Sequence, residues 1–135
     1  MKDEDIIKQI LHFSAKESFI LISKKDQRVV RGKSDGYVEM WTRDETDPNQ
    51  LWVASDYGQQ FINVGTNLPL QAGEGKSWIW DGKYLVDARN TNMVMTVQYW
   101  LWLKDEDGAN VLTFEKFGCN IQMFEMKTEA LLTLK

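Results

Sequence analysis

An asparagine, then a glutamine, then an aromatic residue two positions after the glutamine occurs twice in this chain, as Asn-Gln-Leu-Trp at 49–52 and as Asn-Ile-Gln-Met-Phe at 120–124. An acidic residue two positions before an aromatic, first as Glu39 and Trp41, precedes each copy. Repetition of a short pattern is typical of folds built from similar units that cannot bury their apolar faces alone. The chain is therefore predicted to contain an internally repeated β domain.

Short runs of β-type sequence follow Ser18, separated by turn residues. The pairs Asp35-Gly36, Asp81-Gly82 and Asp107-Gly108 are hairpin signals, because glycine readily takes a positive φ. About twelve runs in a domain of this size favour a closed, repeated all-β architecture. The runs are 19–23, 28–31, 37–42, 50–54, 60–64, 68–71, 77–80, 84–88, 93–97, 100–103, 110–114 and 121–125.

The N-terminal segment has helical spacing instead. Its apolar residues are Ile6, Ile7, Ile10, Leu11 and Phe13, and its first turn is acidic, which suits a helix N-terminus. We predict an N-terminal amphipathic helix over 1–17, a β domain over 18–127 and a C-terminal tail over 128–135. The helix has two open roles: packing on the β domain, or binding a partner or a second copy of the chain.

Composition narrows the function classes. The formal net charge of −4 and the pI near 5.0 argue against nucleic acid as a partner, because binders of the phosphate backbone normally carry a basic excess. The single cysteine, Cys119, cannot form an intrachain disulfide, which favours a reducing compartment. No apolar run has the length of a transmembrane segment or the form of a signal peptide. We expect a cytoplasmic protein, with unconventional release left open.

The segment from Val38 to Trp41, followed by Asp47 to Trp52, resembles the first unit of the ricin B-type β-trefoil lectins in order and spacing. The segment from Trp78 to Asp87 is similar to the start of that family's third unit. The resemblance extends over about Ser18 to Lys127 and implies a β-trefoil of three units, each closing on Gln-x-Trp. In the middle unit, too few residues precede Trp78 for the usual hairpin, which implies that this unit has lost its binding site.

In that family, a shallow pocket in a unit holds one sugar between an aromatic ring and polar side chains. Carried over by position, Trp41 is the aromatic residue, Asn49 binds hydroxyls, Gln50 supports Asn49, and Glu39 flanks the pocket. An indole offers a rigid apolar face, and a carboxylate accepts hydrogen bonds from hydroxyls. The resemblance therefore implies a carbohydrate site in the first unit.

The family's key aspartate aligns near Arg31, which carries five donors and no acceptor. Three outcomes stay open: Glu39 or Asp35 supplies the missing acceptor, the pocket takes an acidic sugar or another anion, or sugar binding is lost. Each would make the first unit depart from ordinary galactose binding.

The last unit offers a second, weaker candidate pocket formed by Glu115, Phe117 and Asn120, with Thr96 near the position of the key aspartate. Phe124 stands there in place of the expected Trp. Gln50 and Trp52 also have a purely structural interpretation, because a buried glutamine can satisfy backbone groups while an indole fills the core.

The leading interpretation is a non-enzymatic, lectin-like module that binds a glycan or glycoconjugate and needs no cofactor. His12 is the only histidine, which excludes a histidine-based triad and a multi-histidine metal site. The alternative is a β-trefoil that has lost sugar binding and binds protein, as an inhibitor, a toxin-associated subunit or a scaffold. The missing aspartate, the short middle unit and the basic stretch from Lys24 to Lys33 support this alternative, and homo-oligomerisation stays open.

Overall fold

The computed structural model describes residues 18–55, 59–98 and 107–129. These ranges hold ten β strands and two single-turn 3-10 helices, η1 and η2. The strands are β1 Ser18–Ser23, β2 Val29–Gly32, β3 Val38–Trp41, β4 Trp52–Ala54, β5 Phe61–Asn63, β6 Trp78–Trp80, β7 Leu85–Asp87, β8 Met93–Val97, β9 Val111–Glu115 and β10 Phe124–Glu129. The helices are η1 Pro48–Gln50 and η2 Asn120–Gln122.

The strands form two antiparallel sheets in the described part of the chain. One has the order β3-β2-β1-β4-β5, with β10 also paired to β1, and the other has the order β6-β7-β8-β9. Glycines 36, 82 and 108 have φ of 90°, 96° and 97°, so each predicted Asp-Gly pair does place a glycine in the left-handed region at a turn.

The strand register shows a threefold relation between three parts of the chain. Trp52, Trp78 and Phe124 each begin a strand, and their antiparallel partners are Asn63, Asp87 and Ser23. Each partner side chain accepts a hydrogen bond from the backbone N–H two residues later, at 3.0, 3.0 and 3.2 Å respectively. Three units with the same pairing and the same turn therefore follow one another.

The three aromatic residues fill one shared core. Trp52, Trp78 and Phe124 are each about 1% exposed. The indole Nε1 of Trp52 donates to the carbonyl of Val30 at 3.0 Å, and that of Trp78 donates to the carbonyl of Leu70 at 3.2 Å. Phe124 occupies the corresponding position in the last unit, and its side chain has no hydrogen-bond donor. Burying each of these side chains contributes about 1.5–3 kcal/mol before entropy is counted.

The middle unit is shortened at the place predicted. Ala72 pairs with Gly75 across a tight turn, as Gly32 pairs with Val38 in the first unit. Gly75 lies three positions before Trp78, whereas Val38 lies fourteen positions before Trp52. The missing residues correspond to most of β3, the following loop and η1, so the middle unit has no counterpart of these elements.

The predicted all-β class is confirmed, with differences in detail. The run at 68–71 forms only isolated bridges at Pro69 and Gln71, because proline cannot donate to a ladder. The runs at 50–54 and 121–125 each begin as a 3-10 turn before the strand starts. β10 continues to Glu129, two residues past the predicted domain end. The predicted run at 100–103 and the N-terminal helix lie outside the described residues.

Candidate functional site

Gln50 organises the loop that leads from β3 to β4. Its side chain is fully buried; Nε2 donates to the carbonyl of Thr42 at 2.9 Å, and Oε1 accepts from the N–H of Asp44 at 2.8 Å. The Arg43 guanidinium also donates to Oε1, at 3.0 Å. With all three bonds directed into its own loop, Gln50 supports the site rather than facing a ligand.

Gln122 performs the same task in the last unit. Its Nε2 donates to the carbonyl of Glu115 at 2.8 Å, and its Oε1 accepts from the N–H of Phe117 at 2.9 Å. Glu115 therefore corresponds to Thr42, and the residue before it, Phe114, corresponds to Trp41. This correspondence allows the two units to be compared position by position.

Arg31 lies at the centre of the first-unit site, where the resemblance implies an aspartate. Its Nε donates to Asp47 Oδ2 at 2.7 Å, and its Nη1 donates to Glu39 Oε2 at 2.9 Å. The guanidinium carbon lies 5.2 Å from the centroid of the Trp41 ring, in a cation–π arrangement. Arg31 thus covers one face of the Trp41 indole.

The cluster contains one guanidinium and two carboxylates. The hydrogen bond to Asp47 raises the pKa of Arg31, partial burial opposes this, and the hydrogen bond to Glu39 adds to the increase. Arg31 therefore stays charged and is held by two carboxylates, which leaves the cluster one negative charge in excess. An anionic sugar gains no net attraction from such a cluster.

Asp47 reaches the cluster because of its place in the loop. It caps η1, with Oδ1 accepting from the N–H of Asn49 at 3.0 Å and Pro48 in the first turn. The capping role fixes the carboxylate, and its second oxygen is then free to accept from Arg31. The sequence pattern did not identify Asp47 as a site residue, although an aspartate before Pro-Asn-Gln is a recognisable cap.

Asn49 and Asp35 occupy different surroundings. The carbonyl of Asn49 accepts from Asn63 Nδ2 at 2.7 Å, and its side chain packs against Gly65, where a Cβ would meet Asn49 Oδ1 at 1.8 Å. Asn49 is half-buried on the same loop as Asp47. Asp35 instead lies in the β2–β3 turn, accepts from the N–H of Tyr37 at 2.9 Å and makes no contact with Arg31.

The last unit has a different set of side chains at the related positions. The pairing of β2 with β3 and of β8 with β9 relates Arg31 to Thr96 and Glu39 to Leu112. The loops held by Gln50 and Gln122, each with a 3-10 helix, relate Trp41 to Phe114, Asp47 to Cys119 and Asn49 to Ile121. Thr96 is buried, donates to the carbonyl of Val94 at 3.0 Å and accepts from Gln122 at 3.2 Å. This unit keeps an aromatic residue but has no charged group at any of the five positions.

The residues of the predicted second pocket lie at the end of β9 and in the segment that leads into η2. Glu115 uses its carbonyl to hold Gln122, and Asn120 begins η2. Phe117 is 54% exposed and contacts Phe114 edge to face, with ring centroids 5.9 Å apart. The sequence analysis did not select Phe114. The available signal was strand alternation, because Phe114 lies two residues after Leu112 and therefore on the same face of β9.

The basic stretch of the first unit is largely neutralised. Lys24 lies 3.7 Å from Glu125, and Lys33 lies 3.7 Å from Asp35. Arg28 donates to Asp107 at 3.0 Å, joining the first unit to the turn between β8 and β9. Burial alone would raise the pKa of Asp107, but hydrogen bonds from Thr42 and Arg28 outweigh burial and lower it. At Lys24, Arg28 and Lys33 the positive charge is therefore paired with a carboxylate.

No protein-family model and no curated protein matches the chain. Among solved structures, it is similar to the C-terminal half of an earthworm R-type lectin in complex with GalNAc, with a TM-score of 0.68 and 17% identity over 84% of this chain and 99% of that one. A mutant of the earthworm lectin C-terminal domain in complex with 6'-sialyllactose gives a TM-score of 0.66 and 18% identity, with the same coverage. A designed threefold-symmetric protein, ThreeFoil, gives 0.62 and 16% over 82% of this chain and 97% of that one. No described helix is long and apolar enough to cross a membrane. At these identities the likeness defines the fold, and the chain has the β-trefoil fold of the R-type lectin domains.

Proposed function

We propose that this domain is a non-enzymatic carbohydrate-binding module of the ricin B type, with a single site in the first unit formed by Glu39, Trp41, Asp47 and Asn49. One observation carries the proposal. The first unit alone among the three combines an aromatic face with carboxylates and an amide, whereas the middle unit lacks the segment and the last unit has apolar side chains or a thiol at the corresponding positions. The similarity to lectin domains solved with sugars supports it.

The substrate class follows from the charges. Glu39 and Asp47 can accept hydrogen bonds from sugar hydroxyls, and the Asn49 amide can both donate and accept. The net negative charge of the cluster disfavours acidic sugars, so a neutral saccharide fits best. Because the site is shallow and half-buried, its affinity for a single sugar is expected to be weak, on the order of millimolar.

Arg31 competes with the sugar for Trp41. Stacking on the indole requires the guanidinium to leave the ring, at a cost of about 1–2 kcal/mol for a cation–π contact of this kind. Arg31→Ala removes this competitor and frees both carboxylates. Binding of a neutral monosaccharide such as GalNAc should therefore tighten by roughly tenfold, since each 1.4 kcal/mol is tenfold in affinity.

The test is a glycan array with the wild-type chain, followed by titration calorimetry with the best neutral glycan. Trp41→Ala should abolish binding, and Phe114→Ala, the same change at the related position of the last unit, should leave it unchanged. Binding that is lost in Phe114→Ala, or that weakens in Arg31→Ala, contradicts the proposed site. Absence of binding to every glycan favours the second candidate.

The second candidate function is protein binding by a trefoil that has lost its sugar site. The observation that favours it is Arg31 itself, because a guanidinium held by two carboxylates over Trp41 is a complete structural cluster without any ligand. On this hypothesis Trp41→Ala and Arg31→Ala lower stability, and neither changes affinity for any glycan.

A further inference from the structure

The strand that carries the proposed site, β3, has a second neighbour besides β2. The N–H of Met40 donates to the carbonyl of Ala109 at 2.9 Å, and the carbonyl of Met40 accepts from the N–H of Gly108 at 2.7 Å. Glu39 also forms an isolated antiparallel bridge with Asn110. These three partners lie immediately before β9 of the last unit. β3 is therefore enclosed between a strand of its own unit and a segment of another unit.

Asp107 extends this contact past the end of β3. Its Oδ1 accepts from the N–H of Thr42 at 2.7 Å and from the Thr42 hydroxyl at 2.8 Å. The carbonyl of Thr42 accepts from buried Gln50 at 2.9 Å. Thr42 directly follows Trp41 in the chain. The residue after Trp41 is therefore held at its N–H and hydroxyl by the last unit, and at its carbonyl by the glutamine loop.

The Asp107 carboxylate suits this role because it is charged and already oriented. Arg28 Nε donates to the same Oδ1 at 3.0 Å. Burial would raise the pKa of Asp107, but the hydrogen bonds from Thr42 and Arg28 lower it, so the group is ionised at neutral pH. Hydrogen bonds to an ionised acceptor are stronger than those between neutral groups. The carboxylate therefore fixes Thr42 more firmly than a neutral side chain would.

The place of the Trp41 ring depends on the backbone that carries it, because this side chain is half-buried rather than enclosed in the core. A binding site needs its groups held within about 0.5 Å of the productive geometry. We propose that Asp107, from the last unit, is a positioning residue for Trp41 and acts through Thr42. For glycan affinity this role rests on the proposed function, whereas the position of Trp41 does not.

The test compares D107A with the wild-type chain and with R28Q, the matched control. Both variants break the ion pair between Asp107 and Arg28, but R28Q keeps the acceptor of Thr42. In NMR spectra without ligand, D107A should shift the Trp41 indole N–H and the Arg31 Nε–H signals, and R28Q should leave both at their wild-type positions. In calorimetry with a neutral glycan, D107A should bind about tenfold more weakly, and R28Q should bind like the wild type.

Two milder variants separate positioning from a general loss of stability. D107N should return both signals most of the way to their wild-type positions, because the amide oxygen can still accept from Thr42. T42V, which removes the hydroxyl donor and keeps the N–H, should shift them in the same direction as D107A but by less.

Two results would overturn the proposal. Wild-type signals in D107A and T42V would show that Asp107 does not position Trp41. Equal shifts in D107A and R28Q would assign the effect to loss of the ion pair rather than to Thr42. If the wild-type chain binds no glycan, the carbohydrate function fails, and the ligand-free spectra still decide whether Asp107 positions Trp41.

Discussion

Replacing Gln50 with leucine tests the structural role of the glutamine that precedes Trp52. The change keeps most of the buried volume but removes the acceptor of the Asp44 N–H and the donor to the Thr42 carbonyl. A buried polar group left without a partner costs about 1–3 kcal/mol, and loop hydration recovers part of this. We expect Gln50→Leu to lower the free energy of unfolding by about 2–4 kcal/mol.

The loss should be measured by urea denaturation followed by tryptophan fluorescence, with the m-value checked for two-state behaviour. Gln59→Leu is the matched control, because the Gln59 side chain is exposed. Gln122→Leu should destabilise by a similar amount, since Gln122 makes the equivalent bonds. If Gln50→Leu changes stability by less than about 0.5 kcal/mol, no more than a typical surface substitution, then the glutamine does not organise the loop as argued.

Two further predictions concern positions next to the site. Gly65→Ala should weaken glycan binding and lower the free energy of unfolding by about 1–3 kcal/mol, because the new Cβ would lie 1.8 Å from Asn49 Oδ1 and 2.9 Å from the Asn49 backbone nitrogen. Calorimetry measures the affinity and thermal unfolding measures the stability. A variant with the affinity and stability of the wild type contradicts this prediction. Folding lowers the pKa of Asp107, so its ionised form stabilises the fold above the unfolded pKa, and this contribution is lost as the pH falls through the folded pKa. Asp107→Asn should therefore flatten the dependence of unfolding free energy on pH below about pH 4, and an unchanged slope would show that Asp107 does not link the hairpin to Arg28.

Local patterns predicted most of the fold. The alternation of Val38 and Met40 with Glu39 and Trp41 produces a strand with two buried and two half-buried residues. The Asp-Gly pairs produce turns because glycine accepts the required φ, and the structural interpretation of Gln50 and Trp52 holds because both are buried and bonded. These features depend on neighbouring residues and strand period, which a sequence displays directly.

The interior of the site depends on contacts that the sequence does not display. Arg31 and Asp47 are sixteen positions apart, and their ion pair requires both the β2–β3 register and the cap of η1. The last unit illustrates the same limit. Phe114 lies eight positions before Gln122, one fewer than separate Trp41 from Gln50, so the acid-x-aromatic pattern selected Phe117. The hydrogen bonds of Gln122 and the pairing of β8 with β9 together relate Phe114 to Trp41.

The most direct test of the central claim is an NMR titration of the isotope-labelled chain with the neutral glycan selected on the array. The account predicts chemical-shift changes at the Trp41 indole N–H, the Arg31 Nε–H and the Asn49 amide, as the guanidinium leaves the ring. Signals of Phe114 and Phe117 should not move. Saturable shifts confined to the last unit, or no shift at Trp41 at millimolar glycan, would contradict a carbohydrate site in the first unit.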